Sequence, residues 1–157
     1  MTAHPSVTIY SDGACLGNPG RGGYGTVLLY GPSRKELSAG FRRTTNNRME
    51  LLGAIVGLEA LTRPCKVELW SDSQYLIHAL TKNWLAGWQQ RGWRTASKEP
   101  VKNRDLWERL LRAIEGHEIR WQWVRGHTGD VENERCDQLA VAAANGSELA
   151  DDTGYDG

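Results

Sequence analysis

The fold is decided by residues 7–61, whose sequence is VTIYSDGACLGNPGRGGYGTVLLYGPSRKELSAGFRRTTNNRMELLGAIVGLEAL. Alternating and β-branched side chains predict three strands, at 7–15, 24–30 and 35–44, separated by turns that contain glycine and proline. From 47 to 61 the apolar residues instead recur at helical spacing. Because strands joined by short turns are antiparallel, this segment predicts a three-stranded meander followed by a helix.

The rest of the chain alternates strands with helices. We predict strands at 65–71 and 119–124 and helices at 73–80, 106–114 and 132–145. A helical connection between two strands of one sheet makes those strands parallel. The order therefore predicts a single α/β domain over 1–157, with a five-stranded mixed sheet flanked by helices: three antiparallel strands, then parallel additions. From about residue 147 we expect a flexible tail without a core.

The chain has 157 residues with 19 basic and 19 acidic side chains, so its formal net charge is zero. A histone-like or tail-driven nucleic-acid binder would be strongly basic, and the overall balance argues against that class. No apolar run approaches the roughly 18 residues needed to span a bilayer, and the N-terminus lacks the pattern of a signal peptide. We therefore expect a cytoplasmic protein without membrane contact.

The charge is distributed unevenly along the chain. Residues 82–104 contain six basic side chains and one acid, a net charge of +5, which leaves −5 for the rest of the chain. Trp84, Trp88 and Trp93 are interleaved with these charges. Neutralisation of phosphates is the usual use of such a patch. The alternative is a solvated helix that packs Trp84 and Trp88 on a neighbour, and for Trp88 both interpretations stay open.

Four carboxylates lie near the ends of predicted elements. Asp12 is near the end of the first strand, Glu50 in the first turn of the long helix, Asp72 directly after the fourth strand and Asp137 in the last helix. Three of them have a local alternative: Asp72 as a helix N-cap, Asp12 in a turn with Gly13, and Glu50 as a complement to the helix dipole.

Two of these acids share a helix face with small residues, and such a face can approach a sheet closely. The neighbours are Gly53, Ala54 and Gly57 for Glu50, and Ala140, Val141 and Ala144 for Asp137. A carboxylate on a packing face is costly unless it is paired or binds a metal. Clustered acids without a basic partner repel one another, and oxygen ligands favour Mg²⁺ or Mn²⁺ over zinc.

Five segments form an ordered set of motifs: SDGACLGNPG at 11–20, TTNNRMEL at 44–51, SDSQY at 71–75, VRGHTG at 124–129 and ENERCD at 132–137. Together they resemble bacterial ribonuclease HI, of the type 1 ribonuclease H family, and the similarity continues into DTGY at 152–155. One block alone would be weak, whereas five in order are specific. The resemblance implies a ribonuclease H-like fold and an endonuclease that hydrolyses the RNA strand of RNA–DNA hybrids, leaving 5′-phosphate and 3′-hydroxyl ends.

The resemblance also implies the catalytic residues. By their positions in the motifs, Asp12, Glu50, Asp72 and Asp137 would hold two Mg²⁺ ions, with Mn²⁺ as a substitute. Two ions about 3.5–4 Å apart can activate a water and relieve charge at the leaving oxygen. Asp12 would bridge the ions, with Asp137 on the water side and the other two acids on the leaving-group side. His127 would assist proton transfer or product release.

Substrate contacts are implied in the same way. The phosphate pocket for the DNA strand would comprise Arg43, Thr45 and Asn103, and minor-groove contacts would come from Asn18, Asn46, Asn47 and Gln74. Trp84 would pack on a deoxyribose. Arg91 and Arg94 would belong to a basic protrusion at about 82–104 that binds the DNA strand. Local alternatives are a turn role for Asn18 and helix capping by Thr45 or Asn46. The protrusion departs from more basic relatives at 85–86 and 89–90, which puts the affinity for the hybrid in doubt.

Two other functions remain as rivals. A resolvase or transposase core of the same superfamily would share the acidic cluster but not necessarily the protrusion. A non-catalytic hybrid-binding module would tolerate loss of the acids, yet all four are present. We expect a monomer whose partner is an RNA–DNA hybrid, and the sequence identifies no protein partner for the tail.

Overall fold

Three long antiparallel strands begin the chain in the computed structural model, which describes residues 4–125 and 130–155. Strands β1 (Ser6–Leu16), β2 (Gly20–Tyr30) and β3 (Ser33–Thr44) form the predicted meander. The elements that follow are α1 (Asn46–Glu59), β4 (Lys66–Ser71), α2 (Gln74–Thr81), α3 (Trp84–Gln90), α4 (Arg104–Ile114), β5 (Glu118–Trp123), α5 (Val131–Ala144) and β6 (Leu149–Ala150).

The six strands of the described residues form one mixed sheet in the order β5-β4-β1-β2-β3-β6. Strand β1 lies at its centre, antiparallel to β2 and parallel to β4, and β4 is in turn parallel to β5. Strands β4 and β5 are parallel to their neighbours because helices connect them to the preceding strand. The predicted α/β class, with three antiparallel strands followed by parallel additions, is confirmed.

The prediction of five strands is wrong by one. Strand β6 has only two residues, and it pairs in parallel with Gly40 and Phe41 of β3. A strand this short has no alternating pattern by which the sequence could reveal it. Beyond β6, Asp152 contacts the side chains of Thr44 and Arg48. The described part of the segment that we interpreted as a flexible tail is therefore in contact with the sheet and α1.

Helix α1 packs on one face of the sheet through its apolar and small residues. Met49, Leu51, Ile55 and Leu58 are buried in the core. An added Cβ at Gly57 would lie 3.0 Å from side-chain atoms of both Ile9 and Thr26, so the small face approaches the sheet as predicted.

Helix α5 covers the opposite face. An added Cβ at Gly23 would lie 2.7 Å from the Ala140 carbonyl oxygen. Helix α5 can therefore pack this closely on β2 at Gly23 because glycine has no side chain. Ala140 and Ala144 are buried there, but Val141 is exposed, and its assignment to the packing face is wrong. Among the described residues, no helix combines the length and the apolar character that would let it cross a membrane.

Candidate active site

The pairing of two parallel strands places two acids side by side. Ser11 of β1 pairs with Ser71 of β4, and both strands run in the same direction. Asp12 and Asp72, the residues that follow this pair, therefore lie at neighbouring positions just beyond the last paired residues of β1 and β4. Side chains alternate between the two faces of the sheet along a strand, so the register of β1 determines the face on which the Asp12 carboxylate lies.

The third acid reaches this point because the helix packs unusually close to β1. A Cβ atom on Gly13 would lie 2.6 Å from the Glu50 backbone nitrogen and 2.7 Å from the Met49 carbonyl carbon, which no side chain could tolerate. The N–H of Gly13 donates both to Asp12 Oδ1, at 2.9 Å, and to Glu50 Oε1. Glycine at position 13 is therefore what allows α1 to bring Glu50 against Asp12.

Three carboxylates form a compact cluster as a result. Asp12, Glu50 and Asp72 each offer an oxygen within 4.8 Å of the other two. They border a cavity of about 520 Å³, whose lining residues are Asp12, Gly13, Asn46, Asn47, Glu50, Asp72, Ser73, Gln74, Tyr75, Trp123 and Asp137. Asp137 of α5 thus joins the other three acids at this cavity, and none of these lining residues is basic.

The cluster raises the pKa of its two buried members. Asp12 and Glu50 are each only 4% exposed. Burial, reinforced by the charges of Asp72 and Asp137, raises the pKa of Asp12 to about 8. Burial and the neighbouring Asp12 carboxyl raise the pKa of Glu50 well above its ordinary value. Without a cation, the site therefore holds protons at a pH at which isolated carboxyl groups are ionised.

The residues of the cluster fit a divalent cation. Glu50 Oε2 is buried and has no hydrogen-bond partner among the described residues, whereas Oε1 accepts from Gly13. A buried carboxylate oxygen without a partner is costly, and a cation would compensate that cost. Oxygen donors from several carboxylates are the set that Mg²⁺ and Mn²⁺ prefer.

The local explanations for these acids are wrong. Helix α2 is capped by Ser73, whose Oγ accepts from the N–H of Leu76 at 3.1 Å, and not by Asp72. Asp12 and Gly13 lie within β1 rather than in a turn. Glu50 lies beyond the first turn of α1, which contains no acid. Each carboxylate is thus available to the cavity.

A second cavity, of about 800 Å³, lies beside the first. It is lined by Asn18, Thr45, Asn47, Arg48, Val101, Lys102, Asn103, Arg104, Asp105, Gly154 and Tyr155. The structure therefore brings together Thr45 and Asn103, two of the three residues of the implied phosphate pocket. Arg43, the third, has an exposed side chain on β3 and does not line this cavity.

Several of the implied substrate residues already have partners within the protein. Thr45 is the N-cap of α1, and its Oγ1 accepts from the N–H of Arg48. The amide of Asn103 donates to the Tyr75 hydroxyl at 3.1 Å and accepts from Arg48. Hydrogen bonds of this kind hold the side chains in place before any ligand arrives.

The amide side chains implied for the minor groove lie beside the carboxylates. Asn46, Asn47 and Gln74 line the acidic cavity, and Asn47 lines the second cavity as well. Asn18 accepts from the backbone N–H of Asn46 at 3.1 Å and lines only the second cavity. The two cavities thus share Asn47, at the start of α1, as a wall residue.

The basic segment at 82–104 consists of α3 and an irregular loop. Trp88 packs edge-on against the buried Trp107, with ring centroids 5.3 Å apart, which confirms the packing interpretation for Trp88. Trp84 is exposed and lies edge-on to His78. Arg91 and Arg94 are also exposed. Trp84 and the two arginines line neither cavity, so the structure does not bring them to the acidic cluster.

One catalytic candidate falls outside the described residues. His127 belongs to 126–129, between the end of β5 and the start of α5. Trp123, which precedes this segment, and Asp137, which follows it, both line the acidic cavity.

Sequence reasoning missed residues that support the site. Arg48 stands two positions before Glu50 and binds Asp105 and Asp152, and Trp123 lines the acidic cavity. No local signal distinguishes these residues from surface charges or core aromatics. Their partners lie far away in sequence, so only the tertiary structure reveals them.

Comparisons with known proteins identify the family of the chain. The family model described as RNase H matches residues 4–145. A ribonuclease H of Aeromonas hydrophila is 58% identical over 149 residues, which cover 95% of this chain and 96% of that protein. A ribonuclease H of Desulforamulus reducens is 62% identical over 138 residues, covering 88% of this chain and 87% of that protein.

A solved structure shows the same fold. LC9-RNase H1, described as a type 1 RNase H with the type 2 active-site motif, is 34% identical and has a TM-score of 0.80 over 92% of this chain and 74% of its own. The family match covers β1, α1, the connection from β4 to α2, and α5, which carry Asp12, Glu50, Asp72 and Asp137 respectively. The chain therefore belongs to the type 1 ribonuclease H family.

Proposed function

We propose that this protein is an endonuclease that hydrolyses the RNA strand of RNA–DNA hybrids with the help of divalent cations, in the cytoplasm and as a monomer. The observation that carries the proposal is the cluster of Asp12, Glu50 and Asp72, with oxygens within 4.8 Å of one another and no basic residue in the described lining of the cavity. The two relatives that are 58% and 62% identical to this chain are named ribonuclease H.

The chemistry requires an attacking water and relief of charge at the leaving 3′-oxygen. Asp12, Glu50, Asp72 and Asp137 are the residues that would hold Mg²⁺, or Mn²⁺ in its place. When bound, two such ions would make a water more acidic and stabilise charge on the transferring phosphate. The Gly13 N–H holds Asp12 and Glu50 in a fixed orientation, so this site is largely formed before a substrate binds.

The surroundings of the cluster suit a hybrid duplex. Asn46, Asn47 and Gln74 present amide groups beside the carboxylates, and an amide can both donate to and accept from a 2′-hydroxyl. The second cavity, with Lys102 and Arg104 in its wall, would receive a phosphate of the DNA strand. Arg91 and Arg94 would add contacts to more distant phosphates. A solved relative, LC11-RNase H1, is described in complex with an RNA/DNA hybrid; it is 23% identical, with a TM-score of 0.67.

End-labelled RNA provides the test. We expect cleavage of the RNA when it is annealed to DNA and Mg²⁺ is present, and no cleavage in EDTA or of the same RNA as a single strand. Equal cleavage of both RNAs, or cleavage in EDTA, would contradict the proposal. Analysis of the product ends should show 5′-phosphates and 3′-hydroxyls.

A point variant assigns the activity to the cluster. Asp12→Asn should abolish cleavage while leaving the circular dichroism spectrum unchanged, because the amide cannot neutralise a cation. Asp151→Asn is the matched control, since Asp151 is an exposed acid that does not line the acidic cavity. Substantial Mg²⁺-dependent cleavage by Asp12→Asn would show that another site does the chemistry.

A further inference from the structure

An exposed tryptophan stands at the edge of the acidic cavity. Trp123 is the last residue of β5 and is 39% exposed, although an indole ring gains most from burial. It lines the cavity together with Asp72. Core packing therefore does not account for the position of this ring.

The indole of Trp123 binds the main chain of the acidic cluster. Its Nε1–H donates to the backbone carbonyl oxygen of Asp72 at 3.2 Å. Asp72 is the single residue between the end of β4 at Ser71 and the N-cap of α2 at Ser73. A residue in such a connection has no partner strand for its backbone groups, so a hydrogen bond from a side-chain donor holds its main chain in place.

The contact extends the sheet by one residue. The last paired positions of β4 and β5 are Ser71 and Trp123, and the N–H of Val124 donates to the Ser71 carbonyl at 2.9 Å. The indole N–H of Trp123 donates to the next carbonyl oxygen along the chain, that of Asp72. The main chain of Asp72 is thereby tied to β5 beyond the point where the ladder stops.

We propose that Trp123 is a positioning residue for Asp72, whose main chain it anchors so that the carboxylate stays within the cation-binding cluster. The inference rests on the proposed function only in its assignment of Asp72 to the cation. Anchoring matters because Asp12, Glu50 and Asp72 offer oxygens within 4.8 Å of one another and repel one another whenever they are ionised. Partners of this kind commonly change metal affinity or activity 10–100-fold when they are removed.

The test compares two tryptophans that each donate one indole hydrogen bond. Trp123→Phe keeps an aromatic ring and removes the donor. Trp70→Phe is the matched control: Trp70 lies on β4, and its Nε1–H donates to Glu68 at 2.8 Å, outside the acidic cavity. Mn²⁺ binding to each protein is measured by titration calorimetry without substrate, and kcat and KM for a hybrid are measured at saturating Mg²⁺.

We expect Trp123→Phe to weaken Mn²⁺ binding roughly tenfold and to leave the KM for the hybrid near that of the wild type, whereas Trp70→Phe changes neither. Replacement of the Trp123 indole by a benzothiophene isostere, which keeps the shape and lacks the N–H, should reproduce the loss even if the Phe variant folds poorly. Wild-type Mn²⁺ affinity in the isostere variant would overturn the proposal, as would an equal loss in Trp70→Phe.

The two proposals can fail separately. If the wild type binds Mn²⁺ and the Trp123 variants bind it less well, but no RNA is cleaved, the positioning role stands and the proposed nuclease function fails. If the wild type cleaves hybrids and the variants match it in both affinity and kcat, the function stands and the positioning role fails. Absence of measurable Mn²⁺ binding by the wild type would overturn the positioning role.

Discussion

A buried ion pair ties the end of the chain to the helix that carries Glu50, and breaking it should cost much of the stability of the protein. Arg48 is 2% exposed and Asp152 7%. The guanidinium donates to Asp152 through Nε at 2.7 Å and through Nη2 at 2.9 Å, and Thr44 Oγ1 donates to the same carboxylate at 2.7 Å. The perturbation is Asp152→Asn, which keeps the shape of the side chain and removes its charge.

The expected loss follows from the burial of both partners. Removing one member of a buried pair generally costs about 3–5 kcal/mol, because the other charge stays buried without compensation. Here Asp105 still binds Arg48 at 2.7 and 2.9 Å, so part of the compensation remains. We therefore expect a loss near the lower limit, about 3 kcal/mol, which corresponds to roughly 6–12 °C in Tm for a domain of this size.

The neighbouring residue is a matched control. Asp151 pairs with Arg42 at 2.8 Å, but the two side chains are 76% and 62% exposed. Exposed pairs contribute about 0–1 kcal/mol. Urea unfolding followed by circular dichroism should therefore show a large loss for Asp152→Asn and a small one for Asp151→Asn. Losses within 1 kcal/mol of each other would refute the reasoning, since burial would then not decide the value of the pair.

Three further predictions concern the site and the protrusion. Because burial raises the pKa of Asp12 to about 8, against 3.8 for the ordinary group, the folded protein binds this proton more tightly than the unfolded chain. The stabilisation that this bound proton contributes is present below about pH 4 and is lost as the pH rises to about 8. The metal-free wild type should therefore lose stability over this range relative to Asp12→Asn, as measured by urea unfolding at several pH values. Parallel curves of stability against pH for the two proteins would contradict this prediction. Charge reversal at Arg91 and Arg94 should raise KM for the hybrid and weaken its salt dependence with little change in kcat; a lower kcat at constant KM would count against phosphate contact. His127→Ala should slow turnover without abolishing it, and an unchanged kcat across neutral pH would exclude a role in proton transfer or product release.

Much of the fold could be predicted from the sequence because its elements are strongly periodic. The meander and α1 follow from a change of period near residue 45, and the positions of β4, α2, α4, β5 and α5 agree with the predicted segments to within a few residues. Strand β6 could not be predicted, because a two-residue strand has no period. Val141 was assigned to the wrong face because in an alanine-rich helix the apolar pattern is too uniform to mark the buried side.

The candidate site, like the fold, could be predicted from the sequence only in part. The sequence motifs singled out Asp12, Glu50, Asp72 and Asp137, and the structure brings all four to one cavity. Local patterns alone favour a capping role for Asp72, a turn for Asp12 and a complement to the helix dipole for Glu50. These roles are excluded by the capping of α2 by Ser73, by the location of Asp12 within β1 and by the position of Glu50 beyond the first turn of α1. The family resemblance also implies substrate contacts for Arg43, Trp84, Arg91 and Arg94, none of which lines either cavity.

The sequence by itself determined the order of the elements, the family and the identity of the four acids, since these depend on local periodicity and on residue types at set spacing. The tertiary structure alone decided how closely the acids approach, because that distance is set by the register of β1 with β4 and by the contact of Gly13 with α1. It also decided that Arg48 binds Asp152, 104 positions further along the chain, and that the Trp123 indole donates to the backbone carbonyl of Asp72. Contacts between residues so distant in sequence arise from packing, which no local pattern contains.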